Sequence, residues 1–229
     1  MVKFNFLFVV ALSATVLFTS CHKKCDKNNP SSECYEPDQL HDAGVVINGI
    51  KWATRNVYAP GTFAAKPEDA GMYYQWNSKV GWSSVEPMES TDGSVWNSNW
   101  DGNGAAKWEN ANDPSPVGWR LPTREELESL ISVPNECATI NGVSGRMFGS
   151  GKNTIFLPAT GGIYVPSSSG EGTLYNGDQL VKSSYWCSTF SSNDYSDVLG
   201  FSCIFGDFVA IGSNIDSKHQ AIPIRCVAE

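Results

Sequence analysis

Apolar residues along this chain come in short runs of strand length, separated by turn-forming residues. The runs cover 72–76, 154–157, 185–190, 198–205, 208–211 and 222–227. Val45-Val46-Ile47 and Ile50-Lys51-Trp52 flank Asn48-Gly49, and Asn-Gly supplies the two positive φ angles of a tight type I′ hairpin turn. Asn141-Gly142 and Asn176-Gly177 are further turns of this kind. Helical periodicity is clear at one place. Thr123 and Glu126 have capping-box spacing with Pro122 just outside, Leu127, Leu130 and Ile131 form one apolar face, and Pro134 ends it. A second helix is expected over 66–71. The pattern predicts an α+β domain dominated by short antiparallel strands, with one or two helices, long loops and no internal repeat.

The N-terminus changes the picture of where this domain works. Lys3 precedes an apolar run over 4–18, interrupted by Asn5, Ser13 and Thr15, and Phe18-Thr19-Ser20-Cys21 follows. A positive start, a short apolar stretch and small residues before the cut describe an export signal too short to span a bilayer. Small residues directly before a cysteine resemble a bacterial lipobox, with Phe18 where Leu is commonest. Residues 1–20 are read as a lipoprotein signal peptide and Cys21 as the lipidated (palmitate-bearing) residue. Residues 21–43 are polar and almost free of aliphatic side chains, as in a tether, and 44–229 form one domain. The expected location is the cell envelope, as an outer-membrane lipoprotein held by its lipid. The sequence leaves open which side of that membrane it faces.

Net charge −8 and the absence of a basic stripe argue against a nucleic-acid partner. Seven cysteines fit an oxidising compartment. Cys25 and Cys34 lie in the tether. The domain's own Cys137, Cys187, Cys203 and Cys226 allow three pairings, among which sequence does not choose. No CxxC pair points to zinc.

Five ordered motifs carry a resemblance: Trp52-Ala53-Thr54-Arg55-Asn56-Val57, Gly71-Met72-Tyr73-Tyr74-Gln75-Trp76, DPSPVGWRLPT from Asp113 to Thr123, Leu157-Pro158-Ala159 with Gly161-Gly162, and Tyr185-Trp186-Cys187-Ser188-Thr189. Together they resemble the Fibrobacter succinogenes major paralogous domain family, common in exported lipoproteins of the Bacteroidetes group. The resemblance implies a C-type-lectin-like fold over almost all of the mature domain. It also implies the lectin disulfide layout, Cys137–Cys226 and Cys187–Cys203. The chain departs from the family pattern at Ser115, where a cysteine is usual, and at Cys187, where a serine is usual. Asn77 and Ile163 replace a glycine and an arginine.

Candidate chemistry is sparse. The three histidines are His22, His41 and His219, and only His219 could serve as a base. Gly142-Val143-Ser144-Gly145 lacks the G-x-S-x-G spacing of a nucleophile elbow. Asp101-Gly102-Asn103-Gly104 resembles the start of a calcium loop, but Asn112 stands where an EF-hand carries its bidentate glutamate, so the reading is a turn, with calcium as the alternative. No metal site and no cofactor are assigned.

Trp52, Trp76, Trp119 and Trp186 belong to the motifs and read as core. Trp82, Trp96, Trp100 and Trp108 lie in polar loops, where they either meet a ligand or roof the core. Late in the chain, Asn193, Asp194, Tyr195, Asp197, Asp207, Phe208, Asn214 and Asp216 have the mixed aromatic and amide composition of a recognition surface. With Trp82, Trp96 and Trp100 they form the expected ligand-binding set. The sequence thus points to a lipid-anchored binding or cell-adhesion protein, fimbria-associated in one version, that recognises a glycan or protein partner without covalent chemistry. An enzyme of the formylglycine-generating type and a structural envelope lipoprotein are the alternatives.

Overall fold

The structure is a computed structural model that describes residues 38–165, 171–175, 183–190, 196–203, 208–215 and 218–229. All described residues belong to one compact unit, Pro37–Glu229. The expected signal peptide, the lipidation site Cys21, most of the tether with Cys25 and Cys34, and the turn at Asn176-Gly177 lie outside them.

Both remaining Asn-Gly turns form as their chemistry dictates. β1 (Val45–Ile47) and β2 (Ile50–Trp52) pair with Ile47 opposite Ile50, and Asn48 and Gly49 take φ of 50° and 80°. β6 (Asn135–Ile140) and β7 (Val143–Ser150) close in the same way, with Asn141 at 49° and Gly142 at 85°. β8 (Asn153–Pro158) adds a third strand to that hairpin. A second three-stranded sheet is formed by β11 (Ser183–Phe190), β12 (Ser196–Ser202) and β13 (Phe208–Ile215).

Two further sheets are threaded by the C-terminal segment. β14 (Ala221–Ile222) lies between β9 (Gly162–Tyr164), whose outer neighbour is β10 (Thr173–Tyr175), and β3 (Tyr73–Gln75), whose outer neighbour is β4 (Gly81–Trp82). β15 (Val227–Ala228) lies between β2 and β5 (Trp119–Arg120). The expected single strand over 222–227 is therefore two short strands in different sheets. Pro223 has no N–H to continue a ladder, and the backbone between the two strands turns to receive Ala53 and Val57 (Ala53 N to Cys226 O, Val57 N to Ile224 O, both 3.0 Å).

α1 (Arg124–Ile131) has its capping box complete. Thr123 Oγ1 accepts from Glu126 N at 3.3 Å and Glu126 Oε2 accepts from Thr123 N at 2.7 Å. The same carboxylate takes both arms of Arg120, at 2.7 and 2.8 Å, and Leu127 and Leu130 are buried beneath. Asp113 ties the preceding turn, accepting from Ser115 N and Leu121 N. DPSPVGWRLPT is thus a folding element, with Leu121 in the core and Trp119 half-buried between Phe63 and Lys51.

The expected α+β class, and with it the C-type-lectin-like layout, does not hold. Strand accounts for 39% of the structure and helix for 9%, with one α-helix among the described residues and four small sheets. Turn residues recur too often for long helices. Residues 66–71 form no helix. Lys66 and Asp69 close one turn on each other, and Gly71 leaves it at φ 74°. So short a segment does not repay helix nucleation.

Candidate functional site

The expected disulfide pairing is also corrected. Cys137 bridges Cys203, with Cα atoms 5.6 Å apart, joining β6 to the end of β12. Cys187 and Cys226 are buried thiols in two different core clusters. Cys226 sits where the C-terminal segment crosses the first core cluster, facing the hydroxyl of Ser115. That hydroxyl does not reach hydrogen-bond geometry with any partner. Burial pushes the Cys226 thiol up to about 12, which leaves it inert as a nucleophile.

The loop tryptophans roof the core. Trp82 is 3% exposed and meets Trp96 edge-on at 5.1 Å, so its ring presents no face to a ligand. Trp96 is half-buried over Gly172, where a Cβ would stand 2.6 Å from the ring. Trp100 is half-buried, and its Nε1 donates to Trp76 O at 2.6 Å. Trp108 is buried in an edge-to-face triad with Trp76 and Trp186. Aromatic rings at such angles and separations attract one another beyond their simple burial.

Of the late polar set, Asp197 lies on β12 and Phe208 and Asn214 on β13. Asn193, Asp194, Tyr195, Asp207 and Asp216 lie outside the described residues.

The Asp-Gly-Asn-Gly loop is organised as a turn. Asp101 Oδ1 accepts from Asn103 N at 2.8 Å, and Gly102 O receives Asn77 Nδ2 and Ala105 N. Asn112 donates to Asn77 Oδ1 and Glu109 Oε2. Asp101 Oδ1 and Gly102 O are thus directed at the protein's own donors. Among the described residues no group of three His, Cys, Asp or Glu side chains gathers at one point.

The concave site that the fold does build lies elsewhere, and it starts from the buried Arg225. Its Nε and Nη2 donate to Asn56 Oδ1 at 2.9 and 2.7 Å, and its Nη1 donates to Ala53 O at 3.1 Å. Burial lowers its pKa from the ordinary value, yet arginine keeps its charge in proteins. Asn56 in turn holds both ends of the 64–70 loop. Its backbone carbonyl receives Ala64 N at 2.8 Å, and its Nδ2 donates to Ala70 O at 2.9 Å. Gly71 lets the loop leave close to the core, because a Cβ there would stand 2.2 Å from Val57 O.

That loop carries Glu68 and Asp69 into a groove of about 570 Å³, a size ordinary for small-ligand sites. Glu68 is 8% exposed, and its Oε1 accepts from Asn141 Nδ2 at 2.7 Å, across from the tip of the β6–β7 hairpin. Asp69 Oδ2 accepts from Lys66 N. Ala159 and Thr160, just after β8, lie opposite. Thr160 is fixed by Tyr73, whose hydroxyl donates to its carbonyl at 2.5 Å. Its own hydroxyl is buried beside Tyr185 without a hydrogen-bond partner. Gln39, Ser84, Tyr58 and Val85 also line it, the last two 44% and 65% exposed. Among the described residues no histidine, lysine, arginine or cysteine lines it.

None of these groove residues was expected from the sequence to meet a ligand, although Gly71, Tyr73 and Ala159 belong to the quoted motifs. Glu68 sits in the polar Lys-Pro-Glu-Asp stretch, within the helix expected over 66–71. Its burial depends on Asn141, 73 residues away. The composition of the stretch held no signal for that pairing.

Comparison of the chain with known protein families, characterised proteins and solved structures finds no match. The motif resemblance therefore rests on the residues quoted for it alone.

Proposed function

We propose that this is an exported binding protein of the cell envelope. It is anchored in the outer membrane through a lipid on Cys21 and recognises a glycan or protein partner without covalent chemistry. The observation that carries this reading is the groove over Glu68. Its exposed tyrosine offers a ring to stack on, and its carboxylates, amide and hydroxyl offer oriented hydrogen bonds. Sites of this make-up hold ligands by shape and polar contacts. The buried thiols give an enzyme of the formylglycine-generating type little support, since Cys226 resists ionisation and lies inside the core.

The test is an array of bacterial and host glycans together with envelope proteins, probed with the wild-type chain and with Tyr58→Ala. Binding that falls at least tenfold on substitution supports the reading. Binding unchanged by the substitution moves recognition away from the groove, and no binding on either array favours a structural envelope role.

A further inference from the structure

We propose that the groove is selective for an alkyl ammonium group, as carried by a lysine side chain or an amino sugar. This rests on the groove being the binding site, and it specifies the chemistry of the ligand. The first observation is a charge without a counter-charge. Glu68 is 92% buried, being 8% exposed, yet no lysine, arginine or histidine among the described residues stands within ion-pair distance of it. A carboxylate drawn largely out of water gains more from an incoming cation than an exposed one does. Two other carboxylates drawn into the fold have cations, Asp42 meeting Arg55 at 3.1 Å and Glu126 meeting Arg120 at 2.7 Å, whereas Glu68 and Asp69, which line the groove, have none among the described residues.

The second observation is which oxygen remains. Glu68 Oε1 is taken by Asn141. Oε2 accepts no hydrogen bond from the described residues, and Glu68 lines the groove. With one oxygen engaged, the paired oxygens that a guanidinium fork grips are not on offer. An ammonium group is a compact charge with three rotatable donors, and it suits acceptors scattered around a point. Asp69 and Gln39 supply such acceptors in the same lining. Ala64, Ala65 and Ala70 give an aliphatic wall for the methylene stem or ring carbons. Tyr58 stands exposed at the rim, where an aromatic face adds attraction for a cation. Among the described residues the lining carries no positive side chain to repel it.

The probes are Nα-acetyl-lysine amide, its Nε-acetylated form, Nα-acetyl-arginine amide, glucosamine and N-acetylglucosamine, titrated by calorimetry and NMR against the full chain. Expected is binding of acetyl-lysine amide or glucosamine at least tenfold tighter than of its N-acetylated counterpart, weakening as salt is raised. Whichever of the two cations binds better identifies the source of the group. Arginine amide is expected to bind more weakly than lysine amide. Glu68→Gln should remove at least tenfold of the affinity while leaving the urea midpoint no lower than that of wild type. If Glu68→Gln does not fold, Asp69→Asn at the half-exposed edge should still weaken binding several-fold. Equal binding of charged and acetylated probes would overturn the ammonium assignment while leaving the groove a binding site. No binding of any probe, with glycans or proteins still captured through Tyr58, would also overturn it. No binding of any probe or partner would overturn both.

Discussion

Replacing Asn56 by alanine tests the central support of the domain. Arg225 is 1% exposed, and two of its three described hydrogen bonds end on Asn56 Oδ1. Hydrogen bonds to a charged group contribute about 1.5–3 kcal/mol each. Two that share one acceptor are not independent, which places their joint loss at about 3–5 kcal/mol, the range for stranding a buried charge. The lost bond from Asn56 Nδ2 to Ala70 O adds about 1 kcal/mol. Against a total stability of roughly 5–15 kcal/mol, Asn56→Ala should remain folded but lose a large share of its stability. Urea unfolding followed by tryptophan fluorescence, with the Cys137–Cys203 bridge intact, reads the change. The control is Asn56→Ala combined with Arg225→Met, which removes the stranded charge together with its partner. That double variant should be more stable than Asn56→Ala alone. A single-variant loss below about 1 kcal/mol would refute the reasoning, as would a double variant whose loss equals the sum of the two singles, because the guanidinium would then not depend on Asn56.

Ser115→Cys should form a second bridge to Cys226, which its hydroxyl faces. With Cys137–Cys203 already closed, the new loop is effectively about 45 residues, for which chain entropy gives about 4 kcal/mol. Non-reducing peptide mapping that finds both thiols unbridged after oxidation would sink this expectation. Acid should weaken the domain partly through Asp42. Burial favours the neutral form of that carboxyl. Hydrogen bonds from Gly44 N, from the amide and hydroxyl of Thr54 and from Arg55 outweigh it and hold the pKa below its ordinary value. The folded value being below the unfolded one, about 3.9, the stabilisation is complete at neutral pH. It is lost as pH falls from about 4 through the folded value. Urea midpoints from pH 6 downward should fall more steeply for wild type than for Asp42→Asn, and parallel curves would refute the assignment.

The sequence by itself determined the parts of this protein that are settled within a few residues. Asn48-Gly49 and Asn141-Gly142 required positive φ and so required hairpins. Thr123 and Glu126 satisfied each other's backbone and so started a helix, and Arg120, six residues from Glu126, found its acid locally. What depended on distant pairing was not legible. The absence of a helix over 66–71 reflects a loop pinned by Asn56. The partner of Cys137 was decided by where β12 ends. Trp82 and Trp108 were decided as roof because the loops fold inward over Trp76 and Trp96. The groove depended most on tertiary structure. Local sequence suggested a helix around Glu68, and only the β6–β7 turn arriving with Asn141, against a loop held by a buried arginine between the last two strands, buries its side chain. Turns and caps are short-range hydrogen-bond problems that a few side chains solve, whereas the burial of a charge depends on every element that packs around it.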